Sequence, residues 1–182
     1  MIKGKKLLRI MAVMSIIFVS ICVFTGCGKK KENSNEQDYR EPIISYFDGI
    51  KEKNLEKVLA AFPDFMGMSK NITMTEIDDL YKYYENEYGN NIKITYEFGD
   101  AVALGEEELA ELEDEAKSTY SDAGDIDFTA GYTVTVKVTV EGDGVTNNSE
   151  GTDEENKGEK TAKDTVDNQM YSIQYNGKWY ML

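Results

Sequence analysis

Asp100 is the side chain that this sequence places best for proton-transfer chemistry. Apolar residues alternate with polar ones from 92 to 98, which predicts a strand with one buried face. Asp100 continues the buried parity, and a buried aspartate has a raised pKa and can act as a general base. Gly99 leaves a second outcome open, because a glycine permits a bulge or turn that would release Asp100 to water.

Histidine is absent from all 182 residues. Its absence excludes Ser-His-Asp and Cys-His nucleophilic sites, imidazole acid-base catalysis and the usual zinc sites. Asp122, Asp125 and Asp127 lie close together, but their segment lacks the full twelve-residue calcium-binding loop, in which a central glycine and a final bidentate glutamate have set positions. We therefore predict no metal site and no cofactor, and any general base has to be a carboxylate. Cation binding by another acidic cluster is left open.

Cys27 ends a segment with the features of a secretion signal. Four basic residues lie within residues 1–9, an apolar run of fifteen residues extends from Ile10 to Phe24, and Thr25-Gly26-Cys27 follows. That run is shorter than the about 20 apolar residues that span a bilayer. Phe24-Thr25-Gly26-Cys27 resembles the lipobox of bacterial lipoproteins, in which the cysteine thiol receives diacylglycerol before the leader is cleaved.

The lipobox resemblance implies that residues 1–26 are a signal peptide and that Cys27 is the lipidation site. The alternative is a general secretory signal in which Cys27 is incidental. Two acyl chains on Cys27 would give stable anchoring, so we expect a cell-membrane protein that faces the extracellular side. Cys22 would leave with the leader, and the mature chain could then form no internal disulfide.

The chain that remains after removal of the leader is acidic and begins with a polar segment. Removal of residues 1–26 takes away four basic residues and no acid, which leaves 16 basic and 34 acidic residues and a net charge of -18. Such a balance argues against a nucleic-acid partner. Residues 27–38 comprise the lipid-bearing cysteine and a polar tether that reaches at most about 40 Å when extended. Lys29 to Lys31 lie close enough to the anchor to meet anionic headgroups.

A single α+β domain is predicted over residues 39–182. Helical spacing of apolar residues begins near Tyr39 and predicts two short helices in tandem, the second ended by Pro63. A third helix is predicted from a capping box of Thr75 and Asp78 as far as Gly89. The tyrosines of that helix at helical spacing are expected to face the core; they are Tyr81, Tyr84 and Tyr88.

The second half of the domain is predicted to be mostly strand. The first strand should keep one parity from Ile92 through Leu104, and a helix should occupy residues 106–120, with acids that favour its N-terminal dipole. Strict alternation from 132 to 140 is the strongest strand signal of the chain. Residues 142–160 are polar and of low complexity, and we expect them to form a mobile loop.

Asn176-Gly177 predicts a terminal two-residue hairpin, because both turn positions require a positive φ. The pairs in such a turn place Ile173 opposite Tyr180 on the expected core side. Gln174 and Trp179 then fall on the opposite face, where Trp179 would be free to cover a sheet edge or a partner's surface.

The order of elements and the ending Tyr175-Asn176-Gly177-Lys178-Trp179-Tyr180 resemble small Gram-positive lipoproteins with a cystatin-like or nuclear transport factor 2-like domain. This resemblance implies N-terminal amphipathic helices packed on a curved antiparallel sheet that forms a cone. In the enzyme members, which include ketosteroid isomerase-like and dehydratase-like proteins, the open end of the cone holds a pocket with a general base.

Two hypotheses of different class follow. The first is a non-catalytic, membrane-anchored module that binds an envelope protein or a small ligand through its surface. The sequence does not determine its oligomeric state. The second is an isomerase- or hydratase-like enzyme with a carboxylate base in an aromatic pocket. The candidate pocket residues are Tyr96, Phe98, Asp100 and Tyr132. The lack of any catalytic constellation favours the first hypothesis.

Overall fold

The fold is α+β, with helices packed against a four-stranded antiparallel sheet. A computed structural model describes residues 39–120, 124–144 and 163–182. The helices are α1 (Glu41–Lys51), α2 (Leu55–Ala60), α3 (Met74–Tyr88) and α4 (Glu106–Thr119), with short 3-10 turns at Asp64–Met66 and Met68–Lys70. The strands are β1 (Lys93–Ala103), β2 (Phe128–Glu141), β3 (Lys163–Tyr175) and β4 (Lys178–Met181), paired in that order. The predictions for residues 1–38 and 145–160 lie outside the described residues.

The two tandem helices at the start of the domain are confirmed. Pro42 occupies the first turn of α1, where its missing N–H needs no partner. The side chain of Asn54 accepts a hydrogen bond from the N–H of Lys57 and caps α2. α1 and α2 approach closely at Gly49, where an added Cβ would lie 2.7 Å from the backbone nitrogen of Val58.

The N-cap of α3 lies two residues earlier than expected. Thr73 and Glu76 form the capping box, and Glu76 accepts hydrogen bonds from the backbone and hydroxyl of Thr73. The prediction that Thr75 and Asp78 cap this helix is therefore wrong. The predicted end is confirmed, because Gly89 follows Tyr88 with a φ of 90° that most side chains avoid.

β1 changes parity in its middle. Its register against β2 shifts between Phe98 and Ala101, and after the shift Ala101 pairs with Val134. Val102 then points away from the covered face and is 65% exposed. The predicted single parity from Ile92 to Leu104 is wrong because Gly99 and Asp100 form a bulge, which adds one extra residue to β1 relative to β2.

The terminal hairpin forms as predicted, but both of its faces are covered. Asn176 and Gly177 have φ values of 51° and 75°, and Ile173 pairs with Tyr180. Ile173 packs with the buried residues of α4 on one face. Trp179 and Met181 are also buried, on the face that α1 contacts, and the N–H of Met181 bonds to the carbonyl of Ala61. The expectation of an exposed Trp179 is wrong because helices pack on both sides of the hairpin.

The first residues of the predicted mobile loop are packed against the end of α3. Gly142 is buried, and an added Cβ there would lie 2.3 Å from the carbonyl oxygen of Tyr88. The N–H of Gly144 bonds to that same carbonyl, and the N–H of Asp143 bonds to the carbonyl of Asn90. Residues 142–144 therefore belong to the packed domain.

Candidate functional site

Three of the four predicted pocket residues share the face of the sheet that lies against α1. Tyr96 and Phe98 lie on this face in β1. Tyr132 lies on it in β2 and pairs with Ala103 of β1. All three are half-buried. Since α1 and the residues before it lie over this face, the neighbours of these rings decide what the site can bind.

Tyr96 is fixed to α1 by its ring and its hydroxyl. The ring stacks on Phe47 with a centroid distance of 4.9 Å, and the hydroxyl donates to Oδ1 of Asp48 at 3.1 Å. Burial, together with the hydrogen bond and negative charge of Asp48, raises the pKa of Tyr96 to about 12. Tyr96 is therefore a neutral hydrogen-bond donor at physiological pH, and its donor is already used by Asp48.

Lys51 completes a small polar cluster at the same place. Its Nζ lies 3.2 Å from the oxygen of Asp48 that accepts from Tyr96, and 5.3 Å from the centre of the Tyr96 ring. The side chain of Asp48 is 31% exposed. Asp48 is thus the carboxylate beside these aromatic residues. It forms an ion pair with Lys51 and accepts a hydrogen bond from Tyr96.

Phe98 and Arg40 connect this cluster to the start of the domain. The edge of one ring meets the face of the other between Tyr96 and Phe98, at 5.9 Å between centroids. The guanidinium carbon of Arg40 lies 5.8 Å from the centre of Phe98 and 5.2 Å from the centre of Tyr39. An arginine between two rings gains cation–π attraction and buries its aliphatic stem.

Tyr132 belongs to a second aromatic group. Its ring stacks on Tyr39 at 4.2 Å and lies 5.7 Å from Trp179. The carbonyl of Tyr39 accepts a hydrogen bond of 2.6 Å from the hydroxyl of Ser172, which is fully buried on β3. Tyr39, the first described residue of the domain, is therefore held against the sheet by a stacking contact and a hydrogen bond.

Trp179 is 6% exposed, and its indole N–H is a buried donor without an acceptor in the described part of the chain. A buried donor of this kind destabilises the folded state by about 1–3 kcal/mol. Trp179 therefore contributes through its large apolar ring, which packs beside Tyr39 and Tyr132.

Asp100 lies apart from these contacts. It is exposed at the bulge of β1, between Phe98 and Ala101. The expected burial of Asp100 is wrong, and the physical reason is the bulge that Gly99 allows. The structure thus brings together Tyr96, Phe98 and Tyr132, but it does not place Asp100 among them as a buried base.

The residues that sequence reasoning missed are Tyr39, Arg40 and Asp48. Tyr39 and Arg40 immediately precede α1, so no helical or strand periodicity marks their direction. Asp48 lies at the border of the buried and exposed faces of α1, where an acid is ordinary. In the described ranges no group of three or more acidic or cysteine residues is arranged to hold a metal ion.

The tyrosines of α3 lie between core and surface. Tyr81, Tyr84 and Tyr88 are each half-buried, whereas Tyr83 is 40% exposed. The hydroxyl of Tyr81 donates to the carbonyl of Lys51, and burial raises the pKa of Tyr84 to about 12. These contacts give Tyr81 and Tyr84 a packing role, in agreement with their predicted direction, and the hydroxyl of Tyr88 donates to Asp164 of β3.

Comparison of the chain with family models, curated proteins and solved structures found no match. The search for membrane-spanning helices, made over the described residues, found none of sufficient length and hydropathy. The geometry of the site and the sequence of the segment before it are therefore the basis for a functional assignment.

Proposed function

We propose that this chain is a lipoprotein, anchored by Cys27 in the cell membrane on its extracellular side, whose folded domain is a non-catalytic interaction module. The observation that carries the proposal is the segment Phe24-Thr25-Gly26-Cys27 after a basic and apolar leader. The short polar tether of residues 28–38 would hold the domain within about 40 Å of the bilayer.

The domain begins with a residue that is packed on the sheet. Tyr39 follows the tether directly, stacks on Tyr132 of β2, and accepts a hydrogen bond from Ser172 of β3. Because two strands hold Tyr39, the first described residue of the domain is fixed relative to the sheet.

The packing of the aromatic residues favours an interaction module over an enzyme. Phe47 and Asp48 of α1 contact the ring and hydroxyl of Tyr96, and Tyr39 covers Tyr132. The carboxylate expected to act as a base, Asp100, is exposed. Recognition would then use the outer surfaces of the domain, and a protein of the cell envelope is the partner that we propose in preference to a small ligand.

The finer fold assignment is also a proposal. A cystatin-like or nuclear transport factor 2-like domain has helices before an antiparallel sheet, with the first helix on the inner face. The order of elements and the contacts between α1 and Tyr96 are compatible with that arrangement. A solved structure in which the sheet curves around α1 would support it, and a flat sheet would contradict it.

Fractionation of cells that produce Cys27→Ser tests the anchor. We expect this variant to leave the membrane fraction for the medium, or to accumulate with its leader attached. Cys22→Ser is the matched control, because it removes the other cysteine of the chain from within the leader. The control should fractionate as the wild-type chain does. Normal membrane retention of Cys27→Ser would contradict the proposal.

A further inference from the structure

The face of the sheet that points away from α1 carries an ordered pattern of charges. α4 covers this face beside Gly131 and Ile173, and leaves exposed the end nearer the β2–β3 connection. Nine residues of β1, β2 and β3 form three cross-strand rows there, which we call the charge grid. The rows are Lys93–Glu141–Lys163, Thr95–Thr139–Thr165 and Glu97–Lys137–Asp167.

The rows share one face because directly paired residues, and residues two apart on a strand, point the same way. The first row reads positive, negative, positive, and the third row reads negative, positive, negative. The grid therefore holds three lysines and three acids and is neutral, within a chain whose net charge is -14. Like-charged copies of the chain could approach there with the least repulsion.

The charged groups of the grid form no ion pairs within the described part of the domain. No ion pair joins these six side chains to one another, or to any other residue in the ranges that the structure describes. The middle row is neutral, and the hydroxyls of Thr139 and Thr165 lie 3.0 Å apart. Three lysines and three carboxylates thus share this face, at positions that the strand register sets.

The arrangement is self-complementary under one two-fold rotation. When a second copy is turned about an axis along the threonine row, each residue of the first row faces the third-row residue of the same strand. Lys93 then meets Glu97 of the other copy, Glu141 meets Lys137, and Lys163 meets Asp167. An axis along β2 would instead place Lys93 against Lys163, so only the axis across the strands matches opposite charges.

We propose that the charge grid is a self-association surface, occupied by the grid of a second copy of this chain with the two-fold axis along Thr95, Thr139 and Thr165. A closed dimer of this kind is isologous, with the same patch on both copies. Nine residues are fewer than the about 20–30 per side of a standard interface, so the dimer is weak and weakens further with salt. Confinement at a membrane, which rests on the proposed anchor, raises the local concentration of copies.

Cross-linking in isolated membranes of cells producing the full chain tests the geometry. Thr139 lies on the proposed axis, so Thr139→Cys places two thiols opposite each other across stacked sheets. A flexible bifunctional maleimide that spans up to about 10 Å should join them, because the backbones of packed sheets lie about that far apart and the two thiols lie between them. Ser118→Cys, at an exposed position of α4, is the matched control for random collision.

We expect several-fold more cross-linked dimer from Thr139→Cys than from Ser118→Cys, and a decrease as salt is raised. Equal yields from the two positions, or cross-links from Thr139→Cys to a different protein, would contradict self-association. The wild-type chain reports on the anchor separately. A cross-link in the wild-type chain would reveal an unacylated Cys27 or an uncleaved leader that retains Cys22, and would contradict the proposed lipidation and cleavage without bearing on the grid.

Charge reversal tests the pairing itself. Lys137→Glu, added to Thr139→Cys, puts like charges opposite each other at two symmetric positions, and should weaken self-association by on the order of tenfold. Glu141→Lys should act equally. Lys82→Glu changes the net charge by the same amount as Lys137→Glu, at an exposed site on α3, and should leave the yield unchanged.

The decisive experiment produces the Lys137→Glu and Glu141→Lys chains, each with Thr139→Cys, in the same cells. In a mixed dimer, the glutamate introduced by Lys137→Glu faces the lysine introduced by Glu141→Lys. The unchanged Glu141 of the first chain faces the unchanged Lys137 of the second, so cross-linking between the two chains should return to the level of Thr139→Cys alone. Recovery also shows that each reversed chain is folded. If the mixed chains cross-link no better than either chain alone, the proposed two-fold arrangement is wrong.

Discussion

The hydroxyl of Tyr96 donates a hydrogen bond to Asp48 at 3.1 Å, and this bond ties the edge strand β1 to α1. The Tyr96 ring stacks on Phe47, one residue before Asp48 on the same helix. Lys51 of α1 also approaches the Asp48 carboxylate, at 3.2 Å. A strand at the edge of the sheet, which has a neighbour on one side only, is in this way held by the helix that covers it.

Tyr96→Phe should lower the free energy of unfolding by about 1 kcal/mol, because it removes a hydrogen bond to a charged group that is partly in contact with water. Urea denaturation followed by circular dichroism measures the effect. Tyr83→Phe is the control, since the Tyr83 hydroxyl makes no hydrogen bond with any described residue. An equal loss in both variants would contradict the structural role of the Tyr96 hydroxyl.

Alkaline pH should destabilise the domain between about pH 10 and pH 12. The pKa values of Tyr46, Tyr84 and Tyr96 are raised to about 12, chiefly by burial, from the usual value of 10.0. The unfolded chain loses these protons first, so stability that is present below pH 10 is lost as the pH rises through 12. In a pH titration, tyrosinate absorbance should rise in a first phase near pH 10 and in a second phase at higher pH. The second phase should be smaller in Tyr96→Phe. A single phase near pH 10 with the fold retained would contradict these raised pKa values.

Asp100→Asn should leave the stability within about 0.5 kcal/mol of wild type, because Asp100 is exposed and makes no hydrogen bond with any described residue. Asp48→Asn is the paired variant and should destabilise the domain by about 1–2 kcal/mol, since it weakens the contacts with Tyr96 and Lys51. Thermal unfolding of the two variants compares them directly. A larger effect at position 100 than at position 48 would contradict the assignment of these carboxylates.

Trp179 is the only tryptophan of the chain, so intrinsic fluorescence reports its surroundings. We expect blue-shifted emission and weak quenching by acrylamide, because the side chain is 6% exposed. Trp179→Ala should lower the free energy of unfolding by about 3–5 kcal/mol. Trp179→Phe should have a smaller effect, because it removes the buried N–H that lacks an acceptor. Strong quenching in the folded state would contradict this burial.

Local sequence signals predicted most of the elements. Helical spacing around Ile43 and Ile50 located α1, alternation from 132 to 140 located β2, and Asn176-Gly177 located the terminal turn. Each signal depends on neighbours within one turn or one strand. The cap of α3 is hard to place from sequence because Thr73 and Thr75 are each followed three residues later by an acid, Glu76 and Asp78. The capping box favours Glu at that position, which selects Thr73.

The site was less predictable because it depends on contacts between distant segments. Parity indicates which residues of the terminal hairpin share a face, but not that α1 covers one face and α4 the other, so the burial of Trp179 was missed. Likewise, the sequence shows that a bulge at Gly99 is possible. The pairing of Ala101 with Val134 shows that the bulge forms, and this determines the direction of Asp100. The rows of the charge grid needed the register of three strands.

The intact mass of the chain isolated from membranes tests the proposed anchor most directly. The account predicts the mass of residues 27–182 increased by a diacylglycerol group on Cys27, with no species that retains residues 1–26. A mature chain that begins at another residue, or one whose Cys27 carries no lipid, would contradict the proposed membrane anchor.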